Sequence, residues 1–377
     1  MSEPEAAQLL HASPAEVPAL VAEHARRLAG CDVGVYVIDI DGSCLVRLAG
    51  GEPFPEQINA RLGVGPEIPL ECIPEVQEVC SSRVPGSAVE ALVARDRAIG
   101  VLLSEREPQN PLDTLAAEAA LAIEINNGYT DVVHAARRSK EIEPAAEIQQ
   151  NLLPPRLARL ADADLAGGVL PGYDVAGDFF DYAVNPDGLS LCLADAMGKG
   201  NEAAALSSLA IGALRSARRG GSSLEQTAAI VQRATAATGS RTRFLTGVLA
   251  HWHPSTRLFR WIDAGHPPPL LVRSDGSADE LDDAVTYPFG LDGERKFHVA
   301  ERRLDAAERV LLYSDGATEH QRADGTRLGL EWLLGILSAN RARSPAIMIR
   351  SLQQAIEGAS PRPLRDDATM LLLAPLN

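Results

Sequence analysis

Aspartates at the ends of apolar runs are the residues of this sequence best suited to chemistry. They are Asp178 in VAGDFFD, Asp195 in LADAMGKG, Asp315 in LLYSDGATE, and the pair Asp366-Asp367 in LRDDATMLLL. A single aspartate of this kind commonly caps a turn. Four acidic points with neighbouring glycines or a second acid are harder to explain in that way. Carboxylates brought together repel one another unless they are protonated or bind a cation, and clustered oxygen ligands suit Mg²⁺ or Mn²⁺.

The stretch LCLADAMGKGNEAA joins an apolar run, a Gly-Lys-Gly turn and a run of small residues. A strand, a glycine-rich turn and a helix often bind phosphate, but the GxxxxGK[ST] spacing is absent and Asp195 would repel an anion. Asp195 makes sense if it holds cations and the cations hold the phosphate. Gly198 and Gly200 would then turn the chain so that a helix over 201–218 can begin.

Composition narrows the class of protein. The chain has 377 residues, 46% of them hydrophobic, and a formal net charge of −16, which predicts two or three packed domains and disfavours nucleic-acid or membrane binding. The five cysteines are scattered without a CxxC pair, so neither a disulfide framework nor a zinc site is expected. No signal peptide or membrane span is indicated. We expect a soluble, cytoplasmic protein.

The first part of the chain has the order of an α+β sensor. The spacing predicts a helix over 14–30, hairpins over 31–49 and 89–105, and a long helical stretch over 112–142. This order resembles a GAF domain, which we place at 1–127, with the proline-containing residues 51–88 over a ligand pocket.

A helical linker is predicted over 128–155. Its second half, EPAAEIQQNLLPP, begins at Pro144, a residue suited to a first helical turn. Ala145, Ile148 and Leu152 define the expected apolar face. Two interpretations stay open. This helix either rests on the following domain, or it dimerises and transmits a signal between the two domains.

From about residue 165 the pattern changes to short strands, interrupted by helical blocks at 201–238 and 329–358. Hairpin-linked strands with paired helices predict two antiparallel sheets packed face to face, with helices outside. The overall fold class is therefore α+β, with a β-sandwich domain at 156–377.

The block from about 147 onward resembles the SpoIIE-like branch of the metal-dependent (PPM) serine/threonine phosphatases. The matching motifs, in the family's order, are EIQQNLLPP, VAGDFFD, LADAMGKGNEAA, RFLTGVLA, DAGHPPPLL, PFGL, LLYSDGATE and RDDATMLLL. The resemblance implies a β-sandwich with two Mn²⁺ or Mg²⁺ ions.

The resemblance also implies roles for single residues. Asp195 would bridge both metals, and the backbone carbonyl of Ala196 would bind one of them. Asp315 and Asp366 would complete the second metal, and Asp178 would bind the first directly or through water. Asp178 and Asp195 would thus serve catalysis through a metal-activated water.

Three further residues belong to this interpretation. Asp181 and Asp367 would orient ligands or metal-bound waters. His266 in AGH stands where other phosphatases of the wider family have an acid, and we interpret it as a structural or substrate-side residue. The sequence departs from the family at Ala176, where a second glycine is common, and at Pro144, which interrupts a linker helix that is commonly unbroken.

The implied function is a protein serine/threonine phosphatase that acts on a phosphorylated STAS-domain anti-anti-sigma factor in bacterial partner switching. Its N-terminal sensor would respond to a small-molecule or protein effector, and residues 112–153 would support a homodimer. Two alternatives stay open: a non-catalytic scaffold that binds a partner, and a small-molecule phosphomonoesterase.

Overall fold

The chain forms two compact units. The computed structural model describes residues 5–138, 141–172, 177–238, 243–291, 296–360 and 364–376; Ala176 therefore lies outside the described residues. Contacts group Met1–Glu141 with Arg156–Arg159, and Ile142–Pro155 with Leu160–Asn377. The stretch predicted as a linker, 128–155, is thus divided between the two units after Glu141.

The first unit is an antiparallel sheet with helices. Its helices are α1 (Glu5–His11), α2 (Val17–Ala29), α3 (Ile73–Arg83), α4 (Asp113–Asn126) and α5 (Val132–Ala136). Its strands are β1 (Val33–Ile38), β2 (Cys44–Ala49), β3 (Gln57–Asn59), β4 (Ala88–Ala94) and β5 (Arg97–Ser104), with the short β6 (Leu157–Arg159) later in the chain. The sheet order is β3-β2-β1-β5-β4.

Both hairpins predicted in this unit are confirmed. β1 pairs antiparallel with β2, and β4 pairs antiparallel with β5. Arg95 and Asp96, between β4 and β5, both have positive φ, as a two-residue hairpin turn of the favoured twist requires. The buried faces of α2 and α4 pack with the inner face of the sheet in one hydrophobic core.

The helical stretch predicted over 112–142 is interrupted. α4 ends at Asn126 and α5 begins at Val132. The intervening residues start with Asn127 and Gly128, and asparagine and glycine are poor helix formers. The apolar periodicity is therefore shared by two helices rather than one.

The second unit contains the remaining elements. Its helices are α6 (Pro144–Leu152), α7 (Gly200–Arg219), α8 (Leu224–Ala236), α9 (Gly316–Glu319), α10 (Leu330–Ala339) and α11 (Pro345–Gly358). Its strands are β7 (Ala163–Leu170), β8 (Phe179–Asn185), β9 (Gly188–Ala196), β10 (Leu245–His253), β11 (Leu258–Ala264), β12 (Leu270–Val272), β13 (Ala278–Glu280), β14 (Val285–Thr286), β15 (Ala300–Arg303), β16 (Arg309–Tyr313) and β17 (Ala368–Pro375).

These strands form two sheets. One has the order β14-β11-β10-β9-β8, with β15 on β11, and the other runs β13-β12-β16-β17-β7. Their pairings are antiparallel except β11 with β14. The sheets face each other, since β17 contacts β8 and β9. Phe180 from β8 lies so close to Gly167 on β7 that a methyl group there would overlap its ring.

Helices cover both outer faces of this sandwich. α7 contacts β9 and α8 contacts β10, whereas α11 contacts β7 and β17. The predicted β-sandwich flanked by helices is confirmed. Among the helices of the described residues, none combines the length and the apolar character that crossing a bilayer requires.

Candidate metal centre

The topology brings the predicted aspartates to one end of the sandwich. Asp178 precedes β8, and Asp195 is the penultimate residue of β9; Phe179 pairs with Ala194 across these antiparallel strands. Asp315 follows β16 and Asp366 precedes β17, where Tyr313 pairs with Met370. In each antiparallel pair the end of one strand therefore lies beside the start of the other.

Two glycines let the loops at this end approach through their backbones. A Cβ atom on Gly177 would lie 2.5 Å from the carbonyl oxygen of Ala196, and one on Gly316 would lie 2.0 Å from the carbonyl oxygen of Asp367. Any side chain would push these segments apart. Gly177 precedes Asp178 and Gly316 follows Asp315, so both contacts hold carboxylate-bearing loops together.

Hydrogen bonds join the two sheets at the same place. The hydroxyl of Ser314 donates to Oδ2 of Asp178 at 2.6 Å and accepts from the backbone N–H of Thr369 at 2.9 Å. Oδ1 of Asp367 accepts from the backbone N–H of Gly172 at 2.7 Å. Asp178 and Asp367 are each only 1% exposed, whereas Asp315 and Asp366 are exposed. The centre is thus closed on its inner side and open on the other.

Burial and neighbouring acids raise the pKa values of two of these carboxylates. Burial, followed by the charges of Asp195 and Asp367, holds the pKa of Asp178 well above its usual range. Burial, followed by Asp366 and Asp315, raises the pKa of Asp195 to about 7. In the part of the chain that the structure describes, Asp178, Asp195 and Asp366 form no ion pair with lysine or arginine.

This donor set fits divalent cations. It consists of carboxylate oxygens with a backbone carbonyl beside them, which is the chemistry that Mg²⁺ and Mn²⁺ prefer. Mutual repulsion among the carboxylates would be relieved by a cation. Across the described residues, no three acidic, histidine or cysteine side chains stand at metal-ligand spacing.

Asp181 lies among basic residues of a neighbouring helix. Its carboxylate accepts from Arg215 and Arg218 of α7, each at 2.9 Å. Phe179 and Asp181 share the face of β8 that packs toward the helices, because side chains alternate along a strand. The predicted role of Asp181 in orienting metal ligands stays a prediction.

His266 is buried near the strand position opposite Asp195. Its Nδ1 lies 2.9 Å from the hydroxyl of Thr246, which pairs with Asp195 across β9 and β10. Its backbone N–H donates to Asp263 at 2.8 Å. Burial lowers the pKa of His266 to about 3, so the ring is neutral and acts as a hydrogen-bonding group.

Sequence reasoning missed two residues of the centre, Ser314 and Gln149. Ser314 directly precedes Asp315, so a hydroxyl beside the acid was the available signal. Gln149 is 4% exposed, although Ile148 on the same helix is 38% exposed. The buried face of α6 therefore runs through Ala145 and Gln149, four residues apart. Of the predicted face, Ala145 is buried and Leu152 packs against the core, whereas the placement of Ile148 is wrong, because a polar residue, Gln149, is buried in its place.

A small groove lies beside the exposed carboxylates. It has a volume of about 160 Å³ and is lined by Asp315, Gly316, Glu319, His320, Gln321, Arg327, Arg365 and Asp366. Two arginines therefore stand next to two of the candidate metal ligands. Such a rim can attract a phosphorylated segment to the carboxylates' open side.

Comparison with known proteins defines the class. The chain superposes with a TM-score of 0.51 on the PP2C phosphatase domain and regulatory-domain fragment of SpoIIE from Bacillus subtilis, covering 93% of this chain and 86% of that one at 12% identity. The RsbU and RsbW domains of Rv1364c from Mycobacterium tuberculosis give a TM-score of 0.51 at 25% identity, over 57% of this chain and 60% of that chain. The second unit has the fold of the PPM-type serine/threonine phosphatases.

The chain belongs to the SpoIIE (Stage II sporulation protein E) family, whose sequence profile matches residues 185–375. The match includes Asp195, Asp315 and Asp366. Phosphoserine phosphatase RsbU of Bacillus subtilis (strain 168) is 24% identical over 234 residues, which is 62% of this chain and 69% of RsbU. Protein IcfG of Synechocystis sp. is 25% identical over 264 residues, 61% of this chain and 41% of IcfG.

Proposed function

We propose that the second unit hydrolyses phosphoserine or phosphothreonine in a protein substrate with the help of two Mn²⁺ or Mg²⁺ ions. The observation that carries this proposal is the set of carboxylates at one end of the sandwich, buried on one side and raising one another's pKa values, in a chain of the SpoIIE family. Asp195 and the carbonyl of Ala196 would hold the ions together with Asp178, Asp315 and Asp366.

In this mechanism Ser314 and the two sides of the metal centre support the bound ions. When bound, the ions supply an activated water and neutralise charge on the phosphoryl oxygens. Ser314 fixes the carboxylate of Asp178 through its 2.6 Å hydrogen bond. The buried side keeps bulk water from these ligands, and the open side at Asp315 and Asp366 admits the phosphate ester.

The shape of the open side favours a protein substrate. The groove at Asp315 and Asp366 encloses only about 160 Å³, which is small for a site that engulfs a metabolite. A phosphorylated side chain projecting from a folded protein needs no deeper cavity. The likeness to RsbU supports a phosphorylated STAS-domain protein, the substrate class that the family resemblance implies.

Phosphate release from a phosphoserine STAS-domain protein tests the proposal. We expect release that requires Mn²⁺ or Mg²⁺ and stops with chelator, and a higher kcat/KM for the phosphoprotein than for p-nitrophenyl phosphate. Wild-type chain that releases no phosphate, with or without candidate activators, would contradict the enzyme interpretation. A preference for the small ester would favour a phosphomonoesterase.

We also propose that the first unit controls this activity and supports a dimer. Leu121 and Ile125 of α4 are 54% and 55% exposed, and Tyr129 just beyond it is 78% exposed. Leu121 and Ile125 are four residues apart and therefore lie on one face of α4. This face belongs to the stretch 112–153, which the sequence predicts to support a homodimer. Light scattering of the Ile125→Glu variant tests the dimer: it should be monomeric where the wild type is dimeric.

A further inference from the structure

A cavity of about 500 Å³ lies in the second unit, away from the metal centre. Its wall includes Pro186 and Asp187, between β8 and β9, and Ser190 near the start of β9. Asp195 stands five residues further along the same strand, which corresponds to about 16 Å. We call this space the distal cavity. Its volume is in the range of small-molecule sites, and none of the candidate metal ligands lines it.

A row of polar side chains crosses the sheet inside the distal cavity. His251 of β10 pairs with Ser190 of β9 on one side and with Arg260 of β11 on the other, so the three side chains lie on the same face of the sheet. Leu249, two residues before His251, belongs to the core that this face forms with α7 and α8. The distal cavity is therefore bounded by this face of the sheet and by the turn between the two helices, at 221–223.

Aliphatic side chains form a second part of the wall. Leu214 of α7, Leu224 of α8 and Leu249 of β10, which we call the aliphatic wall, all line the distal cavity. No aromatic ring occurs among the described residues that surround it. Such a wall favours a ligand with an alkyl chain, whose burial is favourable in proportion to its area. A flat aromatic ligand would find no ring to stack on.

Arginines give the distal cavity its positive charge. Arg218, Arg219 and Arg260 all line it, in a chain whose formal net charge is −16. Arg218 is held by Asp181 at 2.9 Å, and Arg260 by Glu225 at 3.2 Å. In the part of the chain that the structure describes, Arg219 forms no ion pair, so its guanidinium is available to an anion.

His251 supplies an observation that does not depend on the shape of the cavity. Its Nε2 is buried and has no hydrogen-bond partner among the described residues. Oδ2 of Asp187 lies 3.7 Å away, which is too far for a hydrogen bond. Burial lowers the pKa of His251, so the ring is neutral at pH 7. Buried polar atoms are nearly always hydrogen-bonded, and the wall therefore has a place for one more polar ligand atom.

We propose that the distal cavity binds a free aliphatic carboxylate: Arg219 holds the head group, with Arg218 and His251 as further donors in the same wall, and the alkyl chain covers the aliphatic wall. A carboxylate is favoured over a phosphate ester because Asp187 also lines the cavity, and it repels one negative charge less than two. This inference goes beyond the proposed function and does not depend on it.

Calorimetric titration of the full-length wild type with octanoate tests the proposal. Acetate, which lacks the chain, and 1-octanol, which lacks the charge, are titrated in parallel. We expect octanoate to bind at one site, and each of the other two to bind at least about tenfold more weakly, because each loses one of the two interactions. Acetate that binds as tightly as octanoate would show an adventitious ion only. Equal binding of 1-octanol would show apolar partition only, and either result overturns the inference.

Two substitutions with opposite expected effects test the charge of the site. Arg219→Gln should weaken octanoate binding about tenfold, because it removes a hydrogen bond between charged groups. Asp187→Asn should strengthen binding about twofold, since it removes an exposed negative charge. Arg233→Gln is the control, because Arg233 is an exposed arginine of α8 that does not line the cavity. Arg219→Gln that binds octanoate as tightly as the wild type would overturn the inference.

Methyl NMR of leucine-labelled protein locates the alkyl chain. On saturation with octanoate, the resonances of the aliphatic wall should move, whereas Leu115 in the core of the first unit should not respond. No movement at Leu214, Leu224 or Leu249 would place the chain elsewhere and overturn the inference. The binding measurements are made in chelator without phosphoprotein, so a chain that releases no phosphate fails the proposed function while the octanoate titration still decides this site.

Discussion

Each unit buries carboxylates, but the charges next to two of them differ in sign: they are positive beside Glu67 in the first unit and negative beside Asp178 in the second. In the first unit, Glu67 is 4% exposed and accepts from Arg97 at 3.0 Å and from the backbone N–H of Leu157 at 2.7 Å. In the second unit, Asp178 is 1% exposed and faces Asp195 and Asp367.

Burial is the first cause that raises the pKa of both Glu67 and Asp178. The positive charges of Arg97 and Arg156 then lower the pKa of Glu67. The negative charges of Asp195 and Asp367 raise the pKa of Asp178 further.

We call Glu67 and Arg97 the matched group: removing one partner of such a buried pair leaves the other charge uncompensated and destabilises the fold. We call Asp178, Asp195 and Asp366 the unmatched group, because within the described residues they form no ion pair with lysine or arginine. A bound cation would relieve the repulsion among them.

The largest effect should follow removal of the charge at the centre of the unmatched group. Asp195→Asn should lower phosphate release by about 10³-fold, because losing a proposed ligand of the ions removes several kcal/mol of transition-state stabilisation. Phosphoprotein turnover at saturating Mn²⁺ measures this, with the exposed Asp282→Asn as control. Residual activity within tenfold of wild type would show that Asp195 does not hold the ions.

Removing an acid from the matched group should lower the free energy of unfolding rather than the activity. Glu67→Gln removes the ion pair of Arg97 with Glu67 and keeps the one with Glu124, and breaking a buried pair from one side costs about 3 kcal/mol. Urea unfolding of the first unit should register this loss. The exposed Glu71→Gln is the control, and equal stability of the two variants would refute the comparison.

A smaller effect is expected where a hydroxyl supports the unmatched group. Ser314→Ala removes the donor to Asp178, and we expect about a tenfold weaker apparent affinity for Mn²⁺. A titration of activity with Mn²⁺ measures it, against Ser255→Ala on an exposed turn. An unchanged Mn²⁺ midpoint would mean that Asp178 keeps its orientation without Ser314.

The smallest effect concerns pH. Asp195 has a pKa of about 7 in the fold against about 3.9 for a free aspartate. Its protonated form therefore favours the metal-free fold below about pH 4, and this contribution is lost as pH rises through about 7. Cations need the deprotonated form, so the rise in Tm caused by Mn²⁺ should grow by several degrees between pH 5 and pH 8. Fluorimetry at each pH, with and without Mn²⁺, would show a flat difference if this coupling were absent.

The placement of the aspartates at strand ends was predictable from sequence, because the apolar runs beside them mark where the strands lie. Each aspartate adjoins an apolar run, and antiparallel pairing then brings the ends together. Gln149 was not predictable in this way, since a polar residue counts against a buried helical face. Its hydrogen-bond partner Asp367 is 218 positions away along the chain, a separation that no local pattern spans.

The role of Asp181 stays a prediction, and the long helix shows a limit of periodicity. The spacing of three residues from Asp178 to Asp181 puts them on opposite faces of an extended strand, yet motif similarity alone assigned them to one centre. The apolar periodicity predicted one helical stretch over 112–142, because periodicity does not include the low helix propensity of Asn127 and Gly128. Local propensity, rather than pattern, decided that boundary.

The adjacent pair Asp366 and Asp367 divides exposure between two neighbours: one carboxylate reaches solvent, and the other is anchored inside the unit. β17 begins one residue later and keeps an unbroken register with β7 from Ala368 to Pro375. A deletion or insertion of one residue just before β17 would shift the chain by one position at this point, so that one of the two acids would be replaced at its place while the strand stays paired. The length of this segment should therefore matter more to the fold than the type of side chain at Arg365.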